Sequence, residues 1–265
     1  MTSIRAPGIF KLALEARAPF EFAASALMAP AMLSLPRGDG HPVIVYPGFL
    51  ATDFSTQPLR RLLRHLGYQT YGWEQGRNLT PSEELFDSAL VQIKKLRDLH
   101  GKKISLVGWS LGGLYARELA KRDPELIRSV VSLGSPFAGS ASATNASRLF
   151  RWINGKQPQV VRISREQLRL PPPVPTTSIY SRSDGIVPWQ LSHEPAGAMA
   201  ESIEIVTASH SGMGVNPLVL GALADRLAQA EGQWQPFKLS GMRRFFYRLP
   251  HLDVVQAAEQ ASIHG

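Results

Sequence analysis

One serine in this chain sits among glycines. Residues 103–115 read KISLVGWSLGGLY: an apolar run reaches Gly108, Trp109 and Ser110 follow, and Gly112-Gly113 come directly after Leu111. The stretch fits G-x-S-x-G, with a strand pattern before it and a helical pattern after it. In that context the serine occupies a sharp, strained strand-to-helix turn. Side chains two positions before and after would collide there, which calls for glycine at Gly108 and Gly112. The strain pushes the Ser110 hydroxyl out over the C-terminal end of the strand. The helix beginning at Leu111 aims its free N–H groups at the same spot, where negative charge would develop. A glycine-rich turn with an incidental serine is the bland alternative, and the flanking pattern argues against it.

A hydroxyl is a poor nucleophile at neutral pH. It needs a base, and the base needs an orienting acid. In the chain order serine, acid, histidine, two later stretches fit. Asp184 lies in TSIYSRSDGIVP, just after a strand pattern and on a turn set by Gly185. His210 lies in EIVTASHSGM, again just after a strand pattern. Both therefore belong at the C-terminal edge of a sheet, on the side of Ser110. His193 falls within the connection after Asp184, His251 and His264 lie beyond the core, and His41, His65 and His100 precede the serine. These six are taken as packing or surface residues. Asp53 and Asp225 are the fallback acids, and Asp53 also suits a role in shaping the loop after the first strand. An oxyanion site needs two N–H donors. Leu111 supplies one. The other is expected from Tyr46-Pro-Gly-Phe-Leu50, where Phe49 is preferred because Gly48 lets the backbone turn; Leu50 is its rival.

The elements that must position these residues alternate. Strands are predicted at Val43–Tyr46, Gln69–Trp73, Lys103–Val107, Ile127–Leu133, Thr176–Tyr180 and Ser202–Val206. Helices are predicted at Pro58–Leu66, ended by Gly67, and from a Thr80-Pro-Ser-Glu83 capping box to Gly101. Two more follow, at Leu111–Arg122 and from an Asn216-Pro217 cap to Leu227. Strands separated by helices predict an α/β chain with a mostly parallel sheet covered on both faces. Ser140–Pro175 interrupts the alternation and reads as an insertion. It holds a helical piece at Thr144–Asn154, where Leu149, Phe150, Trp152 and Ile153 beside Arg148 and Arg151 make an amphipathic lid candidate. Three parts are expected: an apolar helical segment over 1–40, broken at Pro19 and Pro30; a core over 41–230 with a lid insertion at about 140–175; and a basic, aromatic extension over 231–265.

Composition narrows the classes. With 265 residues, 44% hydrophobic and 19% charged, the chain can bury a sizeable core. It has no cysteine, which excludes disulfides, thiolate zinc sites and cysteine catalysis and fits a reducing, cytoplasmic setting. A net charge of +8 suits nucleic acid, anionic lipid or an acidic substrate. The cations are spread along the chain and no nucleic-acid motif is present, so the charge is read as a surface property. Phe22–Leu35 is the longest nearly apolar run. It is too short to span a membrane and Pro30 interrupts it. Lys11, Glu15, Arg17 and Glu21 precede it, a poor match to a secretion leader, although Ala29-Pro-Ala31 keeps a cleavage site open. No H-E-x-x-H spacing and no nucleotide-binding glycine loop occurs, so neither metal nor cofactor is called for.

At its motifs the chain resembles the α/β-hydrolase fold, and within it bacterial lipases and esterases. The carrying segments are Gly-Trp-Ser-Leu-Gly-Gly at 108–113, Gly134-Ser-Pro-Phe-Ala-Gly139, Ser183-Asp-Gly-Ile-Val-Pro188 and Ser209-His-Ser-Gly-Met213. The resemblance covers about Pro42 to Leu227. It implies a Ser110–Asp184–His210 triad, oxyanion donors at Phe49 and Leu111, and an acyl-enzyme. The usual His-Gly after the first core strand is Pro47-Gly48 here, and the opening antiparallel strands of the full fold are replaced by the apolar N-terminal segment. Trp109, Phe137 and Trp189 are candidates for an acyl pocket, against ordinary core packing. The expected activity is hydrolysis of a lipid-like or medium-chain carboxylic ester. Acyl transfer on the same triad, or a binding protein on this fold, are the alternatives. A peripheral membrane contact through the N-terminal segment and Trp234–Tyr247 is a further expectation. The sequence does not address oligomeric state.

Overall fold

A computed structural model describes residues 4–79, 81–139, 143–146 and 164–250. Seven strands form one sheet: β1 Pro42–Tyr46, β2 Gln69–Gly72, β3 Ile104–Trp109, β4 Ile127–Leu133, β5 Thr176–Tyr180, β6 Ala200–Ile205 and β7 Tyr247–Arg248. Their order is β2-β1-β3-β4-β5-β6-β7. The first six strands run parallel, and β7 pairs antiparallel with β6. The six strands expected from sequence are all present. β7 is not among them, because two residues in an aromatic, basic stretch carry no strand signal.

The sheet is doubly covered, and strand parity decides which side chain faces which layer. Val43, Val45, Val107 and Val131 pack with Leu59, Leu63, Val219 and Leu223 from the helices Gln57–His65 and Pro217–Leu227. Ile44, Leu106 and Val130 face the other way, toward Phe86, Ile93, Ala116 and Leu119 of the helices Glu83–His100 and Leu111–Arg122. β1, β5 and β6 are buried along their whole length, whereas β2, at the sheet edge, is mostly not.

The helix caps follow side-chain chemistry. Asn216 accepts from the amides of Leu218 and Val219, with Pro217 at the first helical position. Gly101 ends its helix in the left-handed region at φ 62°. The start of that helix corrects the sequence reading. The cap is Ser82, not Thr80: Ser82 is extended and its Oγ accepts from Leu85 N at 3.2 Å, with Glu83 and Glu84 in the first turn. Two carboxylates at the positive end of the helix favour that register. Thr80 lies outside the described residues.

The N-terminal segment is helical over Ile9–Ala13, Ala18–Leu27 and Ala29–Met32, joined by a 3-10 turn at Leu14–Arg17. Pro19 and Pro30 open helices rather than interrupt them, as expected where no amide donor is needed. From the C-terminal stretch, Phe237, Tyr247 and Leu249 are buried in the first core layer, while Met242 and Phe245 are exposed. The lid-candidate residues 148–153 lie outside the described residues. Among the described residues, no helix is long and apolar enough to cross a membrane.

One buried ion pair ties the helix after Ser110 to the connection after β5. Arg117 donates to Glu194, both side chains are fully buried, and Arg117 also donates to Leu170 O at 3.1 Å. Its guanidinium carbon stands 3.7 Å above the Phe137 ring. Removing one partner leaves a buried charge unpaired. Glu194→Ala is therefore expected to destabilise the fold by about 3–5 kcal/mol in urea unfolding. Replacing both partners by methionine should restore most of that loss.

Candidate active site

β3 ends at Trp109, the next helix begins at Leu111, and Ser110 alone makes the turn. Its backbone sits at φ 54°, ψ −118°, a region that costs a non-glycine residue about 1–3 kcal/mol. Two hydrogen bonds hold it: Ser110 N to Leu133 O at 2.8 Å, and Gly113 N to Ser110 O at 3.0 Å. The flanking glycines are sterically required. A Cβ on Gly108 would run into the Gly112–Gly113 backbone, and one on Gly112 would run into the carbonyls of Tyr46 and Pro47. Trp109, Ser110 and Leu111 are half-buried.

Asp184 and His210 arrive on the turns after β5 and β6, at the same edge of the sheet. Asp184 is buried, and its Oδ1 accepts from the amides of Ile186 at 2.8 Å and Val187 at 2.7 Å. That leaves Oδ2 facing His210 Nδ1 at 2.7 Å. With Nδ1 committed to the carboxylate, Nε2 is the nitrogen left for other work. The histidine loop is joined to the serine turn by Trp109, whose Nε1 donates to His210 O at 3.0 Å. Burial pulls the His210 pKa down, but the Asp184 charge and hydrogen bond, helped by Glu15, hold it above the ordinary 6.5.

The loop after β1 comes close to the serine. A Cβ on Gly48 would stand 3.5 Å from Ser110 Cβ. Leu50, the rival donor, is at φ 64° and gives its amide to Asn78 O at 2.7 Å. Phe49 belongs to the same loop, and the N–H of Leu111, the first residue of its helix, has no acceptor within that helix. Asn78, which the sequence reading passed over, fastens this loop. It is fully buried, donates from Nδ2 to Pro47 O at 2.8 Å and from N to Ala51 O at 2.8 Å, and accepts from Tyr115 Oη at 3.0 Å. An asparagine in a loop is too common for sequence to single out.

Two more residues come from the N-terminal segment. Glu15 Oε1 accepts from Gly185 N at 2.8 Å and His210 N at 2.9 Å, and its Oε2 accepts from Ser211 N at 2.9 Å. Glu21 accepts from Ser209 N at 2.8 Å and Ser209 Oγ at 3.0 Å. Between them, Arg17 donates to Ser183 Oγ at 2.7 Å and to Glu21 at 3.1 Å. The approach is tight: a Cβ on Gly185 would strike the Lys11 backbone, and one on Gly212 the Glu21 carboxylate. The available signal was two carboxylates inside a segment that otherwise has no acid.

The remaining sequence candidates are placed as follows. Asp53 accepts from Trp73 N at 2.9 Å and Glu74 N at 3.0 Å, so it shapes the end of β2. Asp225 pairs with Arg226 and Arg243, on the Pro217–Leu227 helix. Phe137 is fully buried under Arg117, so its ring packs rather than lines a pocket. Trp189 is half-buried, stacked on Tyr180 at 5.9 Å and below Arg182. A second serine, histidine and aspartate also meet. His41 Nδ1 faces Asp39 Oδ1 at 2.6 Å and its Nε2 faces Ser105 Oγ at 2.9 Å. His41 and Ser105 are fully buried at the other end of β3, Ser105 goes on to Ser129 Oγ at 2.9 Å, and burial lowers the His41 pKa to about 4.

The model of the family described as alpha/beta hydrolase family matches residues 35–261. Among solved structures, a metagenome-derived lipolytic enzyme is similar with a TM-score of 0.54 at 16% identity, over 72% of this chain and 95% of that one. Aspergillus fumigatus lipase B gives 0.55 at 16%, over 75% of this chain and 54% of its own, so this chain spans about half of that lipase. The thioesterase domain from the curacin biosynthetic pathway gives 0.50 at 16%, over 73% and 93%. At these identities the likeness shows the fold. A comparison with curated proteins gives no match.

Glu15 supplies a charge that can be removed without touching Ser110, Asp184 or the His210 ring. In Glu15→Gln the imidazole loses one of the carboxylates that raise its pKa, so an NMR titration should find His210 titrating at lower pH than in wild type. Burial raises the Glu15 pKa, but the amides of Ser211, His210 and Gly185 outweigh it and hold the pKa below 4.5. The lowered pKa means that the ionised side chain stabilises the fold above that value. The stability gap between wild type and Glu15→Gln is therefore expected at pH 7 and should shrink as pH falls through the acid range.

Proposed function

The chain belongs to the alpha/beta hydrolase family, and from that premise we propose that it is a serine hydrolase of carboxylic esters. The carrying observation is the buried Asp184–His210 pair, tied through Trp109 to a strained, accessible Ser110. In this reading Ser110 Oγ attacks the ester carbonyl while His210 Nε2 takes its proton. The amides of Phe49 and Leu111 hold the oxyanion. Collapse breaks the ester C–O bond, the imidazolium returns its proton to the leaving alcohol, and an acyl-serine remains. Water, deprotonated by the same imidazole, attacks that acyl group and releases the acid. Asp184 keeps the histidine in the tautomer that has Nε2 unprotonated and stabilises its charged form. The half-buried Trp109 and Trp189 favour an apolar acyl chain, lipid-like or of medium length.

A fluorophosphonate probe should label the wild-type protein and not Ser110→Ala. Hydrolysis of p-nitrophenyl esters should fall about 10⁴-fold or more in that variant. Failure of folded wild type to label, with or without detergent, would overturn the reading. Across graded esters, a maximum at medium or long acyl chains is expected, and a maximum at acetate would overturn the lipid-like assignment. Adding a competing alcohol separates hydrolysis from acyl transfer by the product formed.

A further inference from the structure

The N-terminal segment is folded inside out. Its two acids face the protein: Glu21 is buried and Glu15 is bonded to three backbone amides. Its large apolar side chains face solvent. Ile9 is 87% exposed, Phe10 75%, Phe20 76% and Leu27 83%, with Phe22 and Met28 beside them in the chain. About half of the exposed large apolar side chains among the described residues fall within residues 4–33. A water-facing helix ordinarily shows the opposite polarity. An apolar concentration of this kind marks a surface that something else covers.

We propose that residues 4–33 are a docking surface for an anionic lipid bilayer. Charge selects this occupant over a second copy. The two acids between residues 4 and 36, Glu15 and Glu21, are both engaged by the protein's own amides, Arg5 is exposed at one end and Arg37 follows at the other. The whole chain carries +8, so two copies repel while anionic headgroups attract. Aromatic and aliphatic side chains on short helices, with cations at the margins, are what an element lying in the headgroup region requires. The same segment holds the Asp184 and His210 loops through Glu15, Glu21 and Arg17. Docking would thus bring the serine edge of the sheet to the membrane, where lipid esters lie. That last consequence rests on the ester-hydrolase reading; the docking does not.

The test is co-sedimentation of the full chain with vesicles of phosphatidylcholine alone or mixed with phosphatidylglycerol. The protein should pellet with the mixed vesicles at low salt and much less with phosphatidylcholine. The triple variant Phe10→Ser/Phe20→Ser/Leu27→Ser alters exposed positions, so its unfolding midpoint should stay near wild type. Its vesicle affinity should drop by at least about tenfold. Arg5→Glu and added salt should each weaken binding, and these arms stand even if the triple variant fails to fold. Ser110→Ala should bind as wild type does, so a failed esterase reading and a failed docking are separately visible. Absence of pelleting with anionic vesicles, or equal binding by a folded triple variant, would overturn the proposal. So would a dimer in sedimentation velocity that the triple variant abolishes, because the occupant would then be a second copy.

Discussion

The candidate site hangs on one backbone conformation, Ser110 at φ 54° and ψ −118°. A side-chain-bearing residue takes up that geometry only where its surroundings leave no other choice. Here the surroundings are a parallel sheet. β3 must deliver the chain at its C-terminal end, the helix must turn back over β1, and the Tyr46 and Pro47 carbonyls already occupy the space beside Gly112. The amide of Ser110 is meanwhile held by Leu133, the last residue of the adjacent β4. Strain at one residue is thus borne by three strands, and the hydroxyl has one place to go.

The acid and the histidine are held differently. They lie on turns that leave β5 and β6, and much of their restraint comes from a segment outside the sheet. Glu15 gathers amides from Gly185, His210 and Ser211, which belong to two separate loops. One carboxylate therefore sets the distance between the acid turn and the histidine turn. Burial disfavours that charge, yet three N–H donors outweigh the burial, and the carboxyl is held below its ordinary range. The arrangement also explains why this segment can show its apolar side to solvent. Its polar groups are the ones engaged with the protein.

Much of this was legible in the sequence. Six strands, the core helices, the elbow glycines and the Asp184–His210 pair follow from hydrophobic period, turn residues and chain order, all of which are local signals. What could not be read were relations between segments far apart. Asn78 bonds the loop after β1 to Tyr115, on the helix after the serine, and nothing in its neighbours marks it. Glu15 and Glu21 were visible as charges in an apolar run, but their partners lie almost two hundred residues away. Ser82 displaced Thr80 as a helix cap because the two glutamates, not the proline, decide where the first turn sits. Trp109 was read only for its ring; the bond from its indole N–H to the histidine loop carries no local signal.

The buried Asp39–His41–Ser105 chain shows that the three side chains alone do not define chemistry. Its two contacts, 2.6 and 2.9 Å, are as good as those of any triad. Yet Ser105 lies near the start of β3, at a register shift against β4, with no helix following it directly and a further hydrogen bond to Ser129. Asp39 is shared with Arg128, and burial keeps His41 neutral until the pH nears 4. The group satisfies the buried polar atoms of His41 and Ser105 at the N-terminal end of β3. Five residues further along the chain, Ser110 is half-buried at φ 54° on the turn that leads straight into a helix. The same residue types stand in different surroundings at the two ends because a parallel sheet collects loop amides and helix N-termini at its C-terminal edge and not at the other.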